Sequence, residues 1–230
     1  MKNLAIIPAR SGSKGLKDKN IKLMNGLPLL AYSINAAHNS NVFDEVMVST
    51  DSQYYSEIAQ KYGASVPFLR SQQNSTDVAS SWDTVKEVLL KYKKIGRNFD
   101  TVTLLQPTSP LRKSEDIINA FDLFNMNKAL SVISVCEVEH SPLWNNLLPQ
   151  NLSMKDFISR DNLGVRQKLP TYYRLNGAIY IVRVCELLAD SYLYREGSFA
   201  YVMPQNRSID IDSEEDFLLA EFLMKKHDQV

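Results

Sequence analysis

Apolar runs of strand length alternate with amphipathic helical segments along most of this 230-residue chain, and that alternation leaves few folds open. Leu4–Ala9 is a continuous apolar strand, of the kind buried on both faces. Pro28–Asn39 places Leu29, Tyr32, Ile34 and Ala36 at mostly helical spacing, with Pro28 at the start. Val46–Ser49 reads as a strand, Ser56–Tyr62 as a helix ended by Gly63, and Val66–Leu69 as a short extended piece. Trp82–Tyr92 is an amphipathic helix, Thr101–Leu105 a buried strand, Ser114–Asn125 a helix capped by Ser114, and Leu130–Cys136 a strand. Repeated strand–helix units predict a parallel sheet with right-handed crossovers and helices on both faces. A ligand then sits at the carboxyl ends of the strands, where Arg10–Asn20, the segment after Thr50 and Gln106–Arg112 fall.

The texture changes after His140. Residues 140–175 are rich in Pro, Asn and aromatics and alternate poorly, which predicts an insertion packed against something other than the main sheet, a partner subunit being one candidate. Residues 1–139 and 176–230 would form the α/β domain around it. Gly177–Val182 returns to a strand, and Ser208–Asp212 reads as an extended run. Ser213–Lys226 reads as a closing helix, with Ser213 and Asp216 spaced as a capping box.

Lysine plus arginine equals aspartate plus glutamate at 26 each, so no global basic field suggests nucleic acid as partner. Anion binding must come from local clustering. No run approaches the roughly 18 apolar residues of a membrane span, and the N-terminal apolar run is interrupted by Arg10, too short for a signal peptide. A cytoplasmic location without membrane association is expected. Cys136 and Cys185 form no CxxC pair and read as small buried hydrophobes in a reducing compartment.

Local clustering is what the first loop shows. The strand ends in "ARSGSKGLKDKNIK", with five cations, one acid, two glycines and two serines. Backbone N–H groups in such a turn form an anion nest, and lysine and arginine neutralise charge there. Neither GxxxxGK[ST] nor GxGxxG is present, which leaves a P-loop or ordinary dinucleotide site unsupported and a merely solvated loop as the alternative. In "SIDID", Asp210 and Asp212 are two apart on an extended run, so their carboxylates share a face while Ile209 and Ile211 point to a core. Paired hard oxygen ligands suit Mg²⁺ with retained waters and phosphates; an acidic strand end beside a helix is the alternative. Together, a cationic loop and a carboxylate pair are the two halves of a metal-dependent phosphoryl- or nucleotidyl-transfer site. In "QPTSPLR", Gln106 can donate and accept, while Arg112 binds an anion or caps local carbonyls. Ala79, Ser80 and Ser81 precede a helix and either admit a flat base or cap that helix. His38, His140 and His227 have no metal-ligand spacing.

The blocks "IIPARSGSKGLKDKN", "VSTDS", "TLLQPTSPLR", "RLNGAIYI" and "SIDID", in this order from about Leu4 to Phe217, resemble the acylneuraminate cytidylyltransferases. The resemblance implies a three-layer α/β sandwich of the nucleotide-diphospho-sugar transferase type, with a mainly parallel sheet and a small dimerisation extension reaching over the neighbour's site. It implies a homodimer that joins CTP to a nine-carbon keto acid sugar with Mg²⁺ or Mn²⁺. By position in the family's motifs, Arg10, Ser13, Lys14, Lys19 and Asn20 would bind the triphosphate. Arg70, Ala79 and Ser81 would bind cytosine and ribose, Gln106, Arg166 and Tyr180 the sugar acid, and Asp210 and Asp212 the metal. Trp144 stands after "HSPL", where some sialic acid enzymes carry lysine, and "NNLLPQNLSMKDF" looks closer to bacterial members acting on relatives such as legionaminic acid. The rivals are a synthetase for the eight-carbon acid Kdo or another sugar nucleotidyltransferase on the same fold, and a non-catalytic nucleotide-binding protein.

Overall fold

The computed structural model describes residues 1–12, 15–76, 79–162 and 169–227, the last without its side chain. Chain order is β1 (Asn3–Pro8), the hairpin strands β2 (Leu23–Met24) and β3 (Leu27–Pro28), α1 (Leu29–Ser40), β4 (Glu45–Ser49), α2 (Gln53–Lys61) and α3 (Ser81–Lys94). Then follow β5 (Thr101–Leu104), α4 (Ser114–Met126), β6 (Ser131–Glu137), β7 (Tyr173–Arg183), α5 (Val184–Ala189), β8 (Ser198–Val202) and α6 (Glu214–His227).

The main sheet runs β4-β1-β5-β7-β6-β8. β1 pairs in parallel with β4 and β5, and β6 with β8, while β7 lies antiparallel between β5 and β6. The period-2 alternation of β1 divides the interior in two. Ala5 and Ile7 join Leu30, Ile34, Ile117, Phe121 and Phe124 of α1 and α4 on one face. Leu4 and Ile6 join Val85, Val88, Leu89 and Tyr92 of α3 on the other. Three layers result, as the alternating pattern predicts.

β1 is the pivot of this order. The chain leaves it through α1 to β4 on one side, then returns across it through α3 to β5 on the other. A right-handed crossover in each direction requires α1 and α3 on opposite faces, and the space between the strand ends opens where the order reverses.

Several boundaries differ from the sequence reading. α2 begins three residues earlier because the Ser52 hydroxyl accepts from the Tyr55 amide and starts the helix there. Lys113, not Ser114, stands at the cap position of α4, and the Asp116 carboxylate reaches back to accept from the Lys113 amide at 2.9 Å, the return half of a capping box. Val66–Leu69 is not a strand; its neighbour Ser65 makes only an isolated bridge to Met47. Ser208–Asp212, read as an extended run but with Ser208 itself departing from extended geometry at φ −113°, ψ 32°, joins no sheet among the described residues. Its one described backbone bond to a strand end is Ile211 N–H to Thr108 O, 2.9 Å. Cys185 is exposed, since α5 turns it outward; Cys136 is buried as expected. Between β6 and β7 the described residues form 3-10 turns at Pro142–Trp144 and Arg160–Asn162.

α6 and the β2–β3 hairpin close a third small core of Met24, Leu29, Ile211, Phe217 and Ala220. The capping box is present: Ser213 N donates to Asp216 at 2.9 Å and Asp216 N to Ser213 Oγ at 3.2 Å. Arg207 meets buried Asp116 with two parallel bonds of 3.0 and 2.9 Å, tying the approach to Asp210 onto α4. Among the described residues no helix is long and apolar enough to cross a membrane.

Candidate active site

A cavity of about 590 Å³ opens at the carboxyl ends of β1 and β5. Arg10, Gly15, Lys19 and Asn20 line it from the first loop, Arg70, Asn74, Thr76 and Ala79 from the segment before α3, and Ser81 and Thr84 from α3 itself. Gln106, Pro107, Thr108, Asp210 and Asp212 complete it. Residues separated by nearly two hundred positions therefore face one space.

The first loop is held at both ends. Asp51, just past β4, accepts from the Ser11 amide at 2.7 Å and hydroxyl at 2.9 Å. Asp18, forced to φ 52°, accepts from the Tyr55 hydroxyl at 2.9 Å. Buried Asn20 donates to the Arg10 carbonyl at 3.0 Å. Lys19 reaches across: its ammonium donates to the Ile211 carbonyl and lies 3.1 Å from Asp212 Oδ1. A Cβ on Gly15 would stand 2.8 Å from the Asp212 carbonyl oxygen, so glycine is what permits the loop to lie against this segment. Ser13 and Lys14 fall outside the described residues.

The two aspartates differ. Asp212 is open, with its side chain 82% exposed, and is balanced by Lys19. Asp210 is half-buried, and burial raises its pKa; Asp212 adds to the rise, while a hydrogen bond from Thr108 and the charges of Lys19 and Arg174 oppose it. Among the described residues no group of three His, Cys, Asp or Glu side chains could hold a metal. The chain thus offers two carboxylates on one cavity, a hard oxygen donor set of the kind that would suit Mg²⁺ shared with water and phosphate rather than an all-protein cage.

Gln106 stands at the end of β5. Its Oε1 would be 2.6 Å from a Cβ on Gly177, which adopts φ 75° where β7 shifts register against β6. Behind it, Arg112 is buried and donates to the carbonyls of Gln106 (3.3 Å) and Ala178 (2.8 Å). Of the two readings of Arg112, the structure supports carbonyl capping. Burial pulls its pKa down to about 10, partly offset by Asp116. Arg70 is held by Ser49 through its Oγ and carbonyl, and burial lowers it likewise to about 10. Tyr180 does not line the cavity. It packs edge-on against Trp82, ring centroids 5.8 Å apart, and burial, with Tyr194 and Asp210, pushes its hydroxyl up to about 12. Arg166 lies outside the described residues.

Asn74, Thr76, Thr84 and Thr108 were not singled out from the sequence. Thr108 lay within the quoted turn, but nothing in its neighbours distinguishes a hydroxyl that meets Asp210 from one that meets water. The others belong to a polar stretch and a helix face with no spacing signal.

A three-layer α/β fold with cations and a carboxylate pair on one cleft at a strand-order reversal defines a nucleotidyl-transfer class of protein. The family model described as Cytidylyltransferase matches residues 4–228, and this chain belongs to that family. The chain is 39% identical over 227 residues to the CMP-N,N'-diacetyllegionaminic acid synthase of Legionella pneumophila, covering 98% of this chain and 97% of that protein. It is 34% identical to the pseudaminic acid cytidylyltransferase of Campylobacter jejuni, covering 98% and 97%. Among solved structures, a CMP-2-keto-3-deoxy-manno-octonic acid synthetase complexed with CTP superposes over 99% of this chain and 100% of its own, TM-score 0.74, 18% identity. That likeness concerns the fold alone.

Proposed function

We propose that this chain activates a nine-carbon keto acid sugar, a nonulosonic acid, with CTP, giving the CMP-sugar and pyrophosphate. The observation that carries the reading is the meeting of Lys19 with the Ile211–Asp212 segment in a cavity also lined by Arg10, Arg70 and Gln106. The names of the full-length relatives support the acceptor class.

In this reading the anomeric hydroxyl of the sugar acid attacks the α-phosphorus and pyrophosphate leaves in line. Charge accumulates on the leaving oxygens, and Arg10, Lys14 and Lys19 offset it; removing one such aligned group typically costs about 10²–10³ in kcat. Asp210 and Asp212 hold a Mg²⁺ or Mn²⁺ ion, which when bound supplies positive charge to phosphate oxygens. Arg70 and the Ala79–Ser81 turn seat cytidine, with Asn20 fixing the loop that carries Arg10. Gln106 faces the acceptor, with Arg166 assigned to the same sugar and Tyr180 packed behind the cavity wall against Trp82.

A homodimer completes the proposal. Leu147 is 91% exposed, and Leu148, Leu152 and Met154 are exposed beside it, an apolar surface suited to a second copy of the chain. The enzyme would work in the cytoplasm.

The test is pyrophosphate release from CTP with a panel of nonulosonic acids and Kdo. Release that needs CTP, a nonulosonic acid and Mg²⁺ together is expected. Release with Kdo alone would move the acceptor to the eight-carbon class, and the lack of release with every acceptor in the panel would leave a non-catalytic nucleotide-binding protein.

A further inference from the structure

Glu87 has no part in the chemistry above, yet its carboxylate accepts four hydrogen bonds. It sits on α3, its side chain 14% exposed. It accepts from the Ser71 amide at 2.9 Å, the Ser71 hydroxyl at 2.7 Å, the Asn74 side-chain amide and the Lys91 ammonium. Lys91 in turn donates to the Leu69 carbonyl at 2.7 Å and lies over the Phe68 ring. Burial works against the charge, but the bonds from Lys91, Ser71 and Asn74 outweigh it and hold the carboxyl down at about 2.

These contacts join two walls of the cavity. Asn74 and Thr76 line it from the strap after Arg70, and Ser81 and Thr84 line it from the first turn of α3. The strap is internally knit, Ser75 Oγ donating to the Ser71 carbonyl at 2.7 Å. It has no sheet partner of its own. The bond from Asn74 also fixes that side chain's orientation, because a carboxylate offers only acceptors and must face the amide nitrogen.

We infer that Glu87 is a positioning residue for the nucleotide: it sets the distance between the Arg70–Thr76 strap and α3 and thereby the fit of the CTP base. The inference rests on the CTP reading of this cavity. Loss of the carboxylate frees the strap, weakens CTP, and relaxes its discrimination from UTP, because a base held between loosened walls is read less sharply. The acceptor half of the site, at Gln106 and β7, is untouched.

The experiment compares Glu87→Ala, Glu87→Gln and Ser71→Ala with the unmodified full chain. It measures KM for CTP, KM for the sugar acid, the CTP/UTP ratio, the melting temperature, and CTP binding by calorimetry. Glu87→Ala should raise KM for CTP about tenfold, equivalent to about 1.4 kcal/mol, and lower the CTP/UTP ratio, with KM for the sugar within about twofold. Glu87→Gln, whose amide oxygen still accepts from the Ser71 amide, should recover part of the loss, and Ser71→Ala should show a smaller one. An unchanged KM for CTP, or both KM values rising in step with a falling melting temperature, would overturn the inference. If Glu87→Ala does not fold, the other two variants carry the same comparison. Calorimetry separates the two levels: no CTP binding by the unmodified chain defeats the CTP reading, whereas equal binding by all variants defeats only the role of Glu87.

Discussion

Asp210 and Asp212 show how one sequence pattern places two like groups in unlike surroundings. Asp212 projects to solvent beside Lys19, while Asp210 is half-buried next to Thr108 and Gly177. For Asp210 the sign of the linkage follows from its raised pKa. The folded state binds this proton more tightly than the unfolded chain, so its ionised form costs stability that appears as pH rises past the ordinary carboxylate value and through the folded one. Asp210→Asn should therefore melt higher than the parent at pH 7 without metal, while turnover falls by about 10²-fold or more. Thermal melts with and without Mg²⁺, beside pyrophosphate assays, check both. A lower melting temperature would mean that the carboxylate serves the fold rather than the chemistry. The pairing of the two acids was readable from "SIDID"; their unequal burial was not, because it depends on Thr108 and on the β7 backbone, which arrive from elsewhere in the chain.

At the scale of elements, the first loop works because something small lies where it crosses the aspartate segment. A methyl group at Gly15 would press on a backbone carbonyl at 2.8 Å, which cannot rotate away as a side-chain tip can. Relief requires separating Lys19 from Asp212 or displacing the segment, at roughly 1–3 kcal/mol. Gly15→Ala should raise KM for CTP about tenfold, shift the Mg²⁺ requirement upward and lower the melting temperature by about 2–4 °C for each kcal/mol of strain, since neighbouring Leu16 packs against the third core. Titrating both substrates and the metal checks this; a parent-like KM for CTP would show that loop and segment need not touch. β1, β4, β5, β6 and the main helices were readable because their burial is continuous or periodic, whereas β8, mostly exposed along its length, and the two-residue strands β2 and β3 were not. β7 was readable as a strand but not as antiparallel, since an apolar run such as "GAIYIV" carries no polarity. The start of α2 and the cap of α4 depend on which hydroxyl or carboxylate reaches an amide, a choice made by local geometry rather than residue type. Glu87 was missed for a related reason: its partners are spread from Ser71 to Lys91, and on α3 it reads as one more solvated charge.

For the whole molecule, the layered domain buries its large side chains in two main cores while the 140–175 stretch leaves leucines facing outward. Exposed apolar side chains such as Leu147, Leu148 and Leu152 would be covered by a second copy of the chain in the proposed homodimer. Light scattering should return twice the chain mass at micromolar concentration. Replacing Leu147 and Leu152 with aspartate should yield a monomer that keeps its melting transition and loses sugar turnover more than CTP binding. A doubly substituted chain that stays dimeric would place the contact on another face.

The carboxylate pair belongs to neither the sheet nor α6. Residues 208–212 run between them, with Ile211 packed in the third core and Ser208 accepting from Asn176 of β7, and are moored further at Thr108, Lys19 and Asp216. Such a bridge can be retuned by editing its moorings while the layers on either side keep their packing. Changes there would alter how the two carboxylates meet the metal and leave the acceptor side, at Gln106, as it is.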